Sequence, residues 1–171
     1  MTTNLEHTAT SCSLFKMNTA YLSLGTNLGN KTENLNEAIR KISRRIGHIK
    51  AQSAFLPTEP WGFSSSNSFL NAAICVETLL SPIELLETTQ TIEREMGRTT
   101  KSTTNEGKAV YTDRIIDIDI LLYYEGINAT PVFDADKNWG GTINLKSERL
   151  TIPHPHMLER DFVLLPLKEI L

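Results

Sequence analysis

The order of its periodic segments restricts this chain most: two capped amphipathic helices are separated by two strand-like runs, not by one. TAYLSLG (19–25) alternates Ala20, Leu22 and Leu24 against Tyr21 and Ser23, the period of a strand. A helix follows, opened by Asn30 with Glu33 three residues on. Its apolar stripe is Leu35, Ala38, Ile39, Ile42 and Ile46, and Gly47 ends it. HIKAQSAFL (48–56) is expected to form a second strand and SFLNAAICVET (68–78) a third. In the third, Leu70, Ala72, Ile74 and Val76 face the core, and Phe69 and Asn71 share the other side. The second helix carries the signature Ser81-Pro82 with Glu84, then Leu85, Leu86, Thr89, Ile92 and Met96 before Gly97. A polar loop leads into RIIDIDILLYY (114–124). After it come a Gly/Asn/Asp-rich excursion near 125–145, a short strand near 144–152 and a last helical piece, DFVLLPLKEIL.

That succession is β-α-β-β-α-β with additions. Strict βα alternation is missing, which argues against a doubly wound parallel sheet. The economical solution is an α+β fold of ferredoxin-like type: a βαββαβ core, a mainly antiparallel sheet with helices packed on it, and extra C-terminal strand and helix elements. Residues 18–171 are expected to form one domain behind a flexible Thr/Ser-rich tail over 1–17, with Met17 as an alternative start. A net charge of −3 supplies no electrostatic footprint for nucleic acid or an anionic membrane. No apolar run has membrane-spanning length, and Cys12 and Cys75 form no framework, so a cytoplasmic location and a monomer are expected.

The strand RIIDIDILLYY places two carboxylates in an apolar run. Parity puts Ile116, Ile118, Ile120 and Leu122 on the core face and Asp117 with Asp119 on the opposite one, roughly 6.5–7 Å apart along the strand. Such a pair repels unless a cation intervenes, and hard oxygen ligands on one face suit Mg²⁺; two solvated or Arg-paired aspartates would read identically. Arg98, Arg114, His154, His156 and Arg160 supply basic groups whose forks and rings match phosphate oxygens, if the fold brings them together. His154 and His156 alone lack a third zinc ligand. GTNLGNKT (25–32) nearly matches a phosphate loop, with Asn30 in place of its second glycine; a tight turn into a capped helix is the plainer reading. Trp61, Phe69, Asn71 and Phe162 could hold a flat heterocycle, or could serve as core and turn residues.

Taken in order, TAYLSLGTNLGN, TEPWG, FLNAA, IEREMGR, RIIDIDILL and TIPHPHMLERDFVLLPL resemble the 6-hydroxymethyl-7,8-dihydropterin pyrophosphokinase family of folate biosynthesis, over roughly residues 19–171. The resemblance implies transfer of the β,γ-diphosphate of ATP to the hydroxymethyl group of the pterin, releasing AMP. It implies two Mg²⁺ ions on Asp117 and Asp119, with Arg98 and Arg114 as phosphate clamps. Phe69 and Phe162 would sandwich the pterin, with Thr58, Trp61 and Asn71 at its edge. Gln90, Glu93, Arg98, Tyr111, Arg114, Ile120, Arg149, Thr151, His154 and Arg160 would surround ATP. The chain departs from the family at Thr100, where an Arg is common. At Tyr111-Thr112-Asp113 the family has Trp-Gly-Pro, Pro155 replaces an aromatic, and DADKNWGGTINL is inserted. Two other readings stand beside it: a P-loop-type NTPase dependent on Lys31, and a non-catalytic pterin- or nucleotide-binding domain of the same fold.

Overall fold

The computed structural model describes residues 16–62, 64–98, 104–105, 108–109, 112–127, 132–133 and 139–171. All of the expected tail except Lys16 and Met17 lies outside these residues, as do Thr100 and Tyr111. The elements run β1 (Asn18–Thr26), α1 (Lys31–Arg45), β2 (Gly47–Gln52), β3 (Leu56–Thr58), β4 (Phe69–Thr78) and α2 (Pro82–Glu95). They continue with β5 (Thr104–Asn105), β6 (Lys108–Ala109), β7 (Asp117–Tyr124), β8 (Val132–Phe133), β9 (Trp139–Gly140), β10 (Leu145–Lys146) and β11 (Thr151–Ile152), a 3₁₀ turn at Met157–Glu159, and α3 (Asp161–Glu169).

The main sheet has the order β2-β4-β1-β7, every pair antiparallel, with β3 added beside the first half of β4. This is the ferredoxin-like arrangement expected from the element order. The strand expected over 48–56 is split, with Ser53–Phe55 between β2 and β3, and the strand expected near 144–152 is a hairpin of β10 with β11.

Local chemistry accounts for the helices. Asn30 accepts from the Glu33 amide at 3.1 Å and so caps α1; its φ is −79°, and the left-handed residue of this turn is Gly29, at φ +61°. Ser81 and Glu84 form a reciprocal capping box on α2. Ser81→Ala is therefore expected to lower stability by about 1 kcal/mol, read as a shifted urea midpoint at unchanged slope.

One face of the sheet carries α1 and α2. Leu35, Ala38, Ile42, Leu85 and Ile92 pack there on Ala20, Leu22, Leu24, Ala72, Ile74 and Val76, as the periodicities predict. The other face carries α3, whose Val163 and Leu167 join Met157 and Trp139 against Tyr21, Ala73, Cys75 and Tyr124. Parity fails once. The β1–β7 register shifts between Tyr21 and Leu22, so that Leu22 pairs with Ile120 and Tyr21 with Leu122. Leu121 is the extra residue of a β-bulge. Ile116, Ile118 and Ile120 face the helical layer as expected, but Leu122 joins Leu121 and Tyr124 on the α3 side, and Tyr123 takes the helical side instead.

Candidate active site

The α3 layer covers only part of its face of the sheet. Where the end of β1 meets the starts of β4 and β7, the sheet floors a cavity of about 300 Å³. The register sets a row across that floor: Gly25 on the central strand pairs with Asn71 on one side and Asp117 on the other, and one step further Ser23 pairs with Asp119. Neighbouring strands are about 4.8 Å apart, which puts the Asn71 and Asp117 backbones roughly 10 Å from each other across a residue without a side chain. A Cβ on Gly25 would stand 3.0 Å from Asn71 Oδ1, so glycine keeps this floor open.

Around the floor stand Thr58, Trp61, Phe69, Asn71 and Phe162, the whole set expected for a flat heterocycle, together with Arg98, Arg114, His154 and Arg160. Asn71 is 2% exposed. Its Nδ2 donates to Thr58 Oγ1 at 2.8 Å and to Leu56 O at 3.5 Å, which leaves its oxygen toward Gly25 and the cavity. Phe162 lies 6.3 Å from Trp61 between ring centroids. The Arg160 guanidinium lies over both rings, at 4.9 Å from Trp61 and 5.9 Å from Phe162, and that of Arg114 lies 5.5 Å from Phe69.

A second cavity of about 370 Å³ adjoins the first, lined by Gln90, Glu93, Ile120, Arg149 and Thr151 among others. Arg98, Asp117, Asp119 and His154 line both. The aspartates thus stand in a wall common to an aromatic slot and a polar chamber. Tyr111 lies outside the described residues; every other residue named for the pterin, ATP or metal sites borders one cavity or both.

Helix α2 ends at Gly97, φ +99°, and the chain turns back so that Arg98 meets Glu93. Arg98 Nη1 reaches Glu93 Oε1 at 2.6 Å and makes a short ion pair with Asp117; Arg114 holds the other oxygen of Asp117 at 2.8 Å. Glu93 also accepts the Ile118 amide at 2.7 Å, tying α2 to β7. Burial, against the pull of Arg98, raises its carboxyl to about 7. No hydrogen bond or ion pair among the described residues reaches the carboxylate of Asp119. Burial first, and the charge of Asp117 second, push it to about 7. Burial and the Arg160 cation lower His154 to about 4, so its ring is neutral at pH 7.

No group of three or more His, Cys, Asp or Glu assembles as a metal cage among the described residues. A carboxylate without a partner beside a paired one fits a hard cation that fills its shell with water and phosphate, the habit of Mg²⁺. Lys31 borders neither cavity; its Nζ donates to Ser68 O at 3.0 Å and Ser68 Oγ at 2.9 Å. Lys31→Ala is expected to leave kcat within about twofold of the parent, because the change is remote from the carboxylates. Loss of turnover in that variant would revive the phosphate-loop reading. His156, named among the basic groups, does line the first cavity, while sequence reasoning missed Ser23, Gly25 and Glu59 as lining residues. Of these, only the glycine of GTNLG carried a signal, and it was read as part of a turn.

Residues 21–171 match the family model described as 7,8-dihydro-6-hydroxymethylpterin-pyrophosphokinase. Proteins named 2-amino-4-hydroxy-6-hydroxymethyldihydropteridine pyrophosphokinase are similar over most of their length. That of Porphyromonas gingivalis is 43% identical over 150 residues, 88% of each chain. That of Haemophilus influenzae is 37% identical over 155 residues, 90% of this chain and 82% of its own. That of Bacillus subtilis is 35% identical over 154 residues, 90% and 78%. Among solved structures, wild-type Plasmodium falciparum HPPK-DHPS superposes with a TM-score of 0.61 at 18% identity. That match covers 91% of this chain but only 41% of the longer one and bears on the fold alone. This chain is a member of the 7,8-dihydro-6-hydroxymethylpterin-pyrophosphokinase family.

Proposed function

We propose that this protein transfers the β,γ-diphosphate of ATP to the hydroxymethyl oxygen of 6-hydroxymethyl-7,8-dihydropterin: the O–Pβ bond forms, the bond from the α,β-bridging oxygen to Pβ breaks, and AMP leaves. The observation that carries the reading is the shared wall. An aromatic and amide-lined slot and a polar chamber meet at Asp117 and Asp119, so a ring in one and a nucleotide in the other would face each other across two carboxylates. Phe69 and Phe162 would sandwich the ring. The Asn71 oxygen, its amide already committed to Thr58, would accept from the N–H edge of the pterin, with Thr58 and Trp61 completing the rim. Gln90, Glu93, Ile120, Arg149, Thr151, His154 and Arg160 would border ATP; Tyr111, also expected there, lies outside the described residues.

Asp117 and Asp119 are the residues that would hold two Mg²⁺ ions, which when bound neutralise the triphosphate and orient the attacking hydroxyl. Arg98 and Arg114 already lie against Asp117, within reach of a phosphate chain beside it. The chain's own contribution is position and charge: preorganised cations, a neutral His154 and a slot that aligns the nucleophile. A cytoplasmic monomer belongs to this reading, supported by the buried free thiol of Cys75; light scattering checks the monomer. No helix among the described residues is long and apolar enough to cross a membrane.

Incubation with ATP, Mg²⁺ and the hydroxymethyl dihydropterin is expected to yield AMP and the pterin diphosphate. ADP as the nucleotide product would indicate single-phosphoryl transfer and overturn the proposal. Ligand binding without any turnover would favour the non-catalytic alternative.

A further inference from the structure

The segment that delivers Arg114 into the site is held in an unusual way. Asn27, 2% exposed at the end of β1, grips the backbone of Arg114 twice: its N–H donates to Arg114 O at 3.1 Å, and its Oδ1 accepts from the Arg114 amide at 2.8 Å. Its remaining amide group donates to Asp113 Oδ1 at 2.7 Å. The other oxygen of Asp113 accepts from Asn67 Nδ2 at 3.1 Å, and Asn67 belongs to the run leading through Ser68 to Phe69. Hydrogen bonds from Ser65 first, then Asn27, hold the Asp113 carboxyl below its ordinary value. One carboxylate thus joins the segment before Asp117 to the segment that carries a wall of the aromatic slot.

We propose that Asp113 is a positioning residue that locks the backbone of Arg114 to the Asn67–Phe69 segment, so that the arginine and the slot keep a fixed spacing. A proline at this position, as in the resembling family, fixes φ through its ring and offers no side-chain acceptor. An aspartate leaves φ free and recovers the constraint through hydrogen bonds to both its oxygens. Arg114 bridges the two regions itself, with its guanidinium 5.5 Å from the Phe69 ring and 2.8 Å from Asp117. Misplacing its backbone would therefore disturb the ring and the phosphate contacts together. The network is exposed at Asp113 but anchored by the buried Asn27, so its loss should move the site without unfolding the chain.

The inference rests on the diphosphate-transfer reading for its kinetic consequence. Asp113→Ala and Asn67→Ala are each expected to lower kcat/KM for the pterin by about 3–10-fold and to raise the KM for ATP with it, while the melting temperature stays at the parent value. The double variant should be no worse than Asp113→Ala alone, because that change already removes the acceptor that Asn67 uses. Asp113→Asn keeps one acceptor and should recover part of the loss. Losses that multiply in the double variant, single variants within twofold of the parent, or a loss confined to the KM for ATP would each overturn the tether. If the parent makes no AMP, the functional reading fails separately. Amide exchange then decides the tether: faster exchange over 64–68 in Asp113→Ala supports it, and unchanged exchange overturns it.

Discussion

Asp119→Asn is expected to abolish nearly all turnover and, with divalent cations chelated, to make the fold more stable. The loss of rate should be on the order of 100-fold or more, the scale of removing one preorganised electrostatic partner from a reacting centre. The gain in stability follows from the titration of the side chain. Its carboxyl is raised from the ordinary 3.8 to about 7, by burial first and by Asp117 second. The folded chain therefore holds that proton more tightly than the unfolded one. Stability contributed by this group falls as pH rises from about 4 to about 7, and the full cost is present above 7. Melting curves in chelator at pH 5 and pH 8 should show the parent losing stability across that interval, and Asp119→Asn losing less. Asp117→Ala should cost activity equally but lower the melting temperature, since two largely buried guanidinium groups, Arg98 and Arg114, lose a partner. An Asp119→Asn variant as active as the parent would remove this residue from the chemistry.

The second large effect belongs to the fold. Helix α1 passes into β2 at Gly47 with no intervening loop, and Thr78 Oγ1 seals the junction by donating to Ile46 O at 2.7 Å. A Cβ on Gly47 would stand 1.9 Å from the Glu77 carbonyl oxygen and 3.2 Å from Thr78 Cα, both backbone atoms of β4, a strand buried between two layers. Neither can retreat without breaking the β2–β4 pairing. Gly47→Ala is expected to cost about 3 kcal/mol or more, as a backbone clash with no flexible atom to yield. In a chain of this size that is a fall of roughly 6–12 °C in melting temperature. A melting temperature within about 2 °C of the parent would show that the junction can relax.

Periodicity and capping chemistry were enough to place β1, α1, β4 and α2 and the order of the sheet, because each buries one face and is punctuated by Asn30, Gly47, Ser81 or Gly97. Residues 145–146 and 151–152 pair over two positions each, too short for alternation to register, so a hairpin read as one strand. The aspartates were visible as a pair from parity alone. Their company was not: Arg98, Arg114, His154 and Arg160 are far apart in the chain and meet only when α2, β7 and the turn before α3 converge. The resemblance, not spacing, suggested Gln90, Arg149 and Thr151. Asn27 was hidden inside a run resembling a phosphate loop. The partners that explain it, Asp113 and Arg114, lie 86 and 87 positions away.

The bulge at Leu121 has a bearing on how chains of this kind can change length. Up to Ile120 the strand keeps one phase, with carboxylates toward the cavity and isoleucines toward α1 and α2; beyond Leu121 the phase is inverted. Deleting that one residue would close the bulge: Leu122 would follow Ile120 directly in the ladder, and Asp117, Asp119, Tyr123 and Tyr124 would all keep their partners and their layers. The strand can therefore lose a residue at this point, at the cost of one buried leucine, without moving the carboxylates of one half or the tyrosines of the other.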